Sequence, residues 1–311
     1  MITSPRAHVA LVGTTASGKS ALAHRIALRL SDVEIATVDS MTVYREMDIG
    51  TAKATLEQRA QVPYHLLDLV EPSEEFTVAQ FQREARRVEA DVAQRDHRLI
   101  YVGGTGLYGR AVIDSFEIPA RYPDVRAELE HRAQSELDGL YRELERLDPL
   151  AASRMEATNE RRIVRALEVT LGSKRPFSSF GPGLFEYREP RMVQVGIRVE
   201  PDLLDTRISE RFAQWMDRGL LHEVDALRQR PGGLSRTARQ AVGYRELLAH
   251  LEEGEDLALA VASALAATRR LARRQRSWFA RDPRIEWFDE ETLAAARVME
   301  LLHDAGRRVT Q

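Results

Sequence analysis

The stretch HVALVGTTASGKSALAHRIALRL, residues 8–30, decides how the rest of the chain is read. A short apolar run ends at Gly13, a glycine-bearing loop follows, and Leu22, Ile26 and Leu30 then recur at helical spacing. That is strand, loop, helix. Within it Gly13-Thr14-Thr15-Ala16-Ser17-Gly18-Lys19-Ser20 fits the G-x-x-x-x-G-K-[ST] pattern in the context that the pattern requires. Glycines let backbone amides turn toward an anion at the helix N-terminus, the Lys19 ammonium neutralises a terminal phosphate, and the Ser20 hydroxyl can ligate Mg²⁺. The loop does not name its ligand, because any diphosphate-bearing molecule satisfies it.

Working outward, VEIATVD (33–39), HLLDLV (65–70) and RLIYVGG (98–104) read as further strands, and Val78, Phe81, Ala85, Val88 and Val92 mark one face of a helix between the last two. This alternation predicts an α/β fold, a P-loop NTPase-like parallel sheet flanked by helices. From Pro119 to Pro190 strand-like runs vanish and charged helical segments take over, which predicts an inserted all-helical domain. MVQVGIRV (192–199) returns the chain to the sheet, helices follow from Pro201 to Arg281, and RIEWFD (284–289) reads as a last edge strand. The expected organisation is a catalytic core of residues 1–118 and 191–311 around an insertion of residues 119–190.

Composition narrows the function. The 311 residues are 43% apolar, with no apolar run of the length a membrane span needs, and the first strand starts by His8, leaving no room for a secretory signal. A cytoplasmic protein without membrane contact, acting as a monomer, is expected. Cysteine is absent, which removes disulfides, thiolate catalysis and cysteine-type zinc sites. A net charge of −3 argues against indiscriminate coating of nucleic acid but not against local basic patches. Lysine occurs only at 19, 53 and 174 among 45 basic residues, so a lysine in the phosphate loop fits a need for a compact ammonium.

Two more motifs fall at strand ends. In VDSMTVYREMDIGTAK (38–53), Asp39 lies at the carboxyl edge of the sheet, where ligands of open α/β sheets bind; it can hold Mg²⁺ through water or accept a proton. In YVGGTGLYGRAV (101–112), Gly103 and Gly104 permit close approach and Thr105 supplies a hydroxyl. No N-K-x-D tetrapeptide occurs, so a guanine-nucleotide switch falls away, while a small-molecule or nucleoside kinase stays open on these residues alone.

Taken in order, GTTASGKS, DSMTVYREMDIGTAK, PYHLLDLVEPSEEFTVAQFQREA, VGGTGLY, RRIVRALEV, AVGYRELL and TRRLARRQRSWF resemble the tRNA dimethylallyltransferase family over nearly the whole chain. The resemblance implies transfer of a dimethylallyl group from dimethylallyl diphosphate to N6 of the adenine 3′ of the anticodon, with Mg²⁺, on the anticodon stem-loop of a tRNA. It implies Asp39 as general base and Thr105 as a further catalytic residue, with Lys19, the loop amides, Ser20 with Mg²⁺ and Arg211 serving the departing diphosphate. As tRNA contacts it implies Asp39, Ser40, Met41, Thr42 and Thr105, then Arg161, Arg162, Ile163, Val164 and Arg165, and Gln240, Gly243, Tyr244 and Arg245. Three positions depart from the family pattern: Thr42 stands for a usual glutamine, Arg161 for another, and Glu46 for a usual glycine. A small-molecule or nucleoside kinase and an enzyme that prenylates free adenine nucleotides are the two rival readings.

Arg269, Arg273 and Arg276 recur at i, i+4 and i+7 of a predicted helix, a basic stripe suited to phosphates; Arg269 and Arg273 join the expected tRNA contacts. Trp278 and Phe279 read as core.

Overall fold

In a computed structural model of the chain, residues 8–181, 183–184 and 186–307 are described. The chain divides into two compact units, Met1–Asp114 with Glu189–Gln311, and Ser115–Arg188.

The first unit begins with β1 (Val9–Val12) and α1 (Lys19–Ala27), then β2 (Val33–Val38), α2 (Leu56–Gln61) and β3 (Tyr64–His65). It continues through α3 (Val78–Gln94), β4 (Arg98–Gly103) and α4 (Gly106–Ile113). The helical unit holds α5 (Pro123–Leu147), α6 (Pro149–Ala152) and α7 (Glu160–Ser173). Back in the first unit come β5 (Val193–Ile197), α8 (Pro201–Asp217), α9 (Leu220–Gln229), α10 (Tyr244–Glu253), α11 (Leu257–Phe279), β6 (Ile285–Phe288) and α12 (Glu291–Arg307).

The strands form one six-stranded sheet in the order β3-β2-β4-β1-β5-β6, every pair parallel. Such a sheet is covered on both faces, so its strands are mostly apolar apart from buried Glu34, Arg98 and Gln194, and alternate residues enter two different cores. Val9, Leu11, Val33, Ile35, Ile100, Val102, Val195 and Ile197 pack with Leu22 and Ile26 of α1 and Val298 and Leu302 of α12. Ala10, Val12, Ala36, Val38, Leu99 and Tyr101 face the other way, toward Phe81 of α3, Tyr108 of α4, Tyr244 of α10 and Phe279 of α11. Arg83, Arg86, Arg87 and Asp91 of α3 are exposed, Glu89 turns in to accept from the Tyr101 hydroxyl at 2.8 Å, and the helix start is fixed by a reciprocal cap between Thr77 and Gln80.

The third strand is shorter and earlier than HLLDLV suggests: only Tyr64 and His65 pair with β2. Leu66 and Asp68 turn into the left-handed region, at φ 63° and 53°, and end the extended run. A distant network holds that turn. Lys53 Nζ lies 2.7 Å from Asp68 and 2.6 Å from the Tyr44 carbonyl, and Arg59 Nη1 lies 2.6 Å from the other Asp68 oxygen. Apolar alternation cannot report such partners.

The helical unit has its own apolar core, built from Leu129, Leu140, Leu144, Ile163, Val164 and Leu167. Glu168 is fully buried there and accepts bonds from Tyr122 N, Arg126 and Arg165, which offsets the cost of burying a carboxylate.

Candidate active site

β1 lies between β4 and β5, so the loop that follows it opens at the carboxyl edge of the sheet, beside the ends of β4 and β2. Gly18 takes φ 92° at the N-cap of α1, a conformation a β-carbon would strain, and this aims the loop amides together. Lys19 is buried, and its ammonium donates to the Thr14 carbonyl of its own loop at 2.9 Å. Burial, and then the nearby Arg211 cation, lower its pKa to about 8 against the opposing pull of Asp39. Arg211 of α8 reaches in from above: its Nη2 donates to Thr15 Oγ1 at 2.6 Å, its guanidinium stacks 4.7 Å from the Trp215 ring, and burial lowers its pKa to about 10.

Two polar atoms here, Ser17 Oγ and Arg211 Nε, are buried without a hydrogen-bond partner. Buried polar groups are ordinarily paired. Their position beside a phosphate-type loop suits an anion that accepts from both. Ser20 is exposed in the first turn of α1.

Asp39 follows the end of β2. Its carboxylate accepts from Met41 N at 2.8 Å, and burial raises its pKa while that bond, the Lys19 charge and bonds to Thr42 and Thr105 oppose the rise. Thr105 Oγ1 accepts from Ser40 N at 3.3 Å, tying the turn after β4 to the turn after β2. Lys19, Asp39, Thr105 and Arg211 therefore converge on one edge. Beneath Thr105 a small apolar pocket is lined by Val12, Val38, Gly103, Val112 and Phe279. Thr42 is buried, with its Oγ1 unpartnered. Glu46, in place of a glycine, does adopt φ 61°, and an ion pair with Arg230 holds it there.

Other expected contacts fare differently. Arg161 and Arg162 are exposed on the first turn of α7, in the helical unit. Ile163 and Val164 are core side chains of that unit, turned inward by helical periodicity. Arg165 is committed to Glu168 and to the Pro119 carbonyl, at 2.8 Å each. Gln240 is exposed, and Arg245 is exposed but paired with Glu246. Gly243 is buried, and Tyr244 is wholly buried with its hydroxyl on Glu223 at 2.5 Å, so both shape the core rather than a surface. Arg269 is half-buried against Ser209 (3.0 Å) and Asp205 (3.4 Å), whereas Arg273 is exposed. Met41 and Ser40 are half-buried beside Asp39.

One residue of the TRRLARRQRSWF stretch to which the resemblance assigns no role also reaches the edge. Gln275 of α11 bonds both Thr15 N and the Gly104 carbonyl. Its signal in the sequence is weak: a neutral amide inside an arginine run.

A phosphate loop at the carboxyl edge of a parallel sheet, with a hydroxyl brought in after the adjacent β4 and a carboxylate after β2 beyond it, defines a P-loop-type protein equipped for chemistry on a phosphorylated ligand. The chain belongs to the IPP transferase family, whose model matches residues 42–282. It is 45% identical over 284 residues to the tRNA dimethylallyltransferase of Bifidobacterium animalis subsp. lactis, covering 90% of this chain and 81% of that one. It is 40% identical over 303 residues to that of Carboxydothermus hydrogenoformans, covering 96% and 97%. The solved full-length tRNA isopentenylpyrophosphate transferase of Bacillus halodurans superposes with a TM-score of 0.69 at 33% identity, covering 98% of this chain and all of the other.

Proposed function

We propose that this chain transfers a dimethylallyl group from dimethylallyl diphosphate to N6 of the adenine 3′ of the anticodon in tRNA, releasing diphosphate. The observation that carries the reading is the convergence of Lys19, Arg211 and the loop on one side and Asp39 with Thr105 on the other, at one edge of the sheet. A kinase would use the same loop, but membership of the IPP transferase family and relatives named for dimethylallyl transfer favour the prenyl donor.

The chemistry follows from the charges. The exocyclic amine is a poor nucleophile, its lone pair being delocalised into the ring. As its nitrogen bonds to C1 of the dimethylallyl group, the C1–O bond breaks, the electron pair leaves on the diphosphate oxygen, and the amine proton passes to the Asp39 carboxylate. A raised carboxylate pKa suits a base that must hold the proton it receives. Lys19, Arg211 and the loop amides stabilise the charge gathering on diphosphate, and the allylic carbon bears its own positive charge well.

Among the described residues no group of three or more His, Cys, Asp or Glu side chains is poised to hold a metal by itself. Mg²⁺ commonly uses few protein ligands and completes its shell with substrate phosphates and water, which the exposed Ser20 hydroxyl fits. Bound there, the ion would supply further positive charge to the leaving group. The target base must leave its stack to reach the edge, and exposed arginines such as Arg161, Arg162 and Arg273 are suited to the tRNA backbone. We assign the activity to a cytoplasmic monomer; among the described residues no helix is long and apolar enough to cross a membrane.

The test is incubation with unmodified tRNA and dimethylallyl diphosphate, followed by mass spectrometry of the nucleosides. N6-dimethylallyladenosine is the expected product. Unchanged adenosine together with ATP consumption would replace this reading with the kinase.

A further inference from the structure

Gln275 lies in the TRRLARRQRSWF stretch of α11, away from the strand-end motifs of the site, yet its side-chain amide spans it. Oε1 accepts from Thr15 N at 2.8 Å, and Nε2 donates to the Gly104 carbonyl at 3.0 Å. The orientation is fixed by chemistry, since a flipped amide would set donor against donor and acceptor against acceptor. Thr15 belongs to the loop between β1 and α1, and is held a second time by Arg211. Gly104 opens the turn after β4, and the next residue, Thr105, bonds the backbone beside Asp39. The approach is close enough that a β-carbon at Gly104 would stand 2.6 Å from Gln275 Nε2. Less than one turn further along α11, Trp278 packs on Gly106 so tightly that a β-carbon there would meet its Nε1 at 2.0 Å, which anchors this end of the helix against the same turn.

We infer that Gln275 is a positioning residue for the transfer reaction: its amide sets the separation between the loop that holds the diphosphate and the turn that carries Thr105 beside the base. The inference rests on the proposed function, in which those two segments serve the donor and the acceptor. Reacting partners displaced by about 1 Å can lose on the order of a hundredfold in rate with little change in binding. Arg211 retains its own hold on Thr15 when Gln275 is replaced, so the loop stays formed and its spacing is what changes.

Two variants separate hydrogen bonding from packing. Gln275→Met keeps the length and volume without either bond. Gln275→Glu keeps the acceptor for Thr15 but sets a carboxylate oxygen against the Gly104 carbonyl. Single-turnover transfer to unmodified tRNA is measured with tRNA and dimethylallyl diphosphate both saturating, alongside the Kd of each and the melting temperature. The expected result is a rate constant lowered about 10- to 100-fold in both variants, with each Kd within about threefold of wild type in the Met variant. A wild-type rate constant in the Met variant overturns the inference, as does a lowered melting temperature with the rate constant of the folded fraction unchanged. Tighter donor binding at an undiminished rate also overturns it, by making the amide a competitor of diphosphate for Thr15. Failure of the wild-type protein to transfer the group overturns the functional reading itself, and the inference with it.

Discussion

Lys19 makes the affinity for diphosphate depend on pH in a window where an ordinary lysine would not. Burial and Arg211 lower its pKa from 10.5 to about 8 in the free protein, and an anion bound at the loop restores the charged form. If only the ammonium form binds, the apparent Kd is the intrinsic one divided by the protonated fraction, which is about 0.9 at pH 7 and about 0.09 at pH 9. Dimethylallyl diphosphate, a monoester whose last ionisation is largely complete by pH 7, should therefore bind about tenfold more weakly at pH 9 than at pH 7, with about 0.9 proton taken up per binding event at pH 9. A lysine left at 10.5 would give a change below about 1.1-fold. Titration calorimetry with Mg²⁺ present, in buffers of different ionisation enthalpy, reads both quantities, and Lys19→Arg should abolish the trend because a guanidinium stays charged. An affinity that is flat in the wild type, with no proton uptake, would refute the reasoning that this ammonium is desolvated and waiting for an anion. The same shift has a consequence for stability. The folded pKa lies below the unfolded one, so between about pH 8 and 10.5 the unfolded chain holds a proton that the folded chain has lost, and this group's contribution to stability rises with pH across that window.

Asp39→Asn should lower the single-turnover rate about 10²- to 10⁴-fold while donor binding persists; a loss below about threefold would make Asp39 a structural residue. Thr42 carries a buried hydroxyl without a partner, so Thr42→Val should raise the unfolding free energy of the free protein by about 1 kcal/mol. The same change should lower kcat/KM for tRNA about five- to tenfold where the hydroxyl bonds the acceptor; unchanged kinetics would remove Thr42 from the acceptor pocket. Arg273→Ala should make the slope of log tRNA affinity against log salt shallower by about 0.7 to 0.9 and leave diphosphate affinity alone, and parallel lines would leave Arg273 a solvated side chain. Arg269 is the poorer probe, because its bonds to Ser209 and Asp205 make its loss a packing change as well.

What the sequence could disclose follows from the range over which each feature is encoded. The strands around Leu11, Ile35, Ile100 and Val195 are legible because a parallel sheet covered on both faces needs mostly apolar runs, a local property. The phosphate loop is legible for the same reason: its glycines, lysine and serine act through the eight residues that contain them. The limit is met at His65–Val70, where a turn is decided by Lys53 and Arg59, and at Ile163 and Val164, where a motif read as a linear string hides a helix whose one face is core. Gln275 is the extreme case. It lies 260 residues from Thr15 and 171 from Gly104, and nothing in ARRQRSW distinguishes an amide that spans the site from one on a solvated face. A parallel sheet collects its loops at one edge whatever their order in the chain, so the residues that set distances between those loops come from elements that share no local pattern with them. Chemistry-bearing side chains are thus written in motifs, while the spacing between them is written in tertiary contacts, and substitutions that change rate without changing binding are to be sought among the second kind.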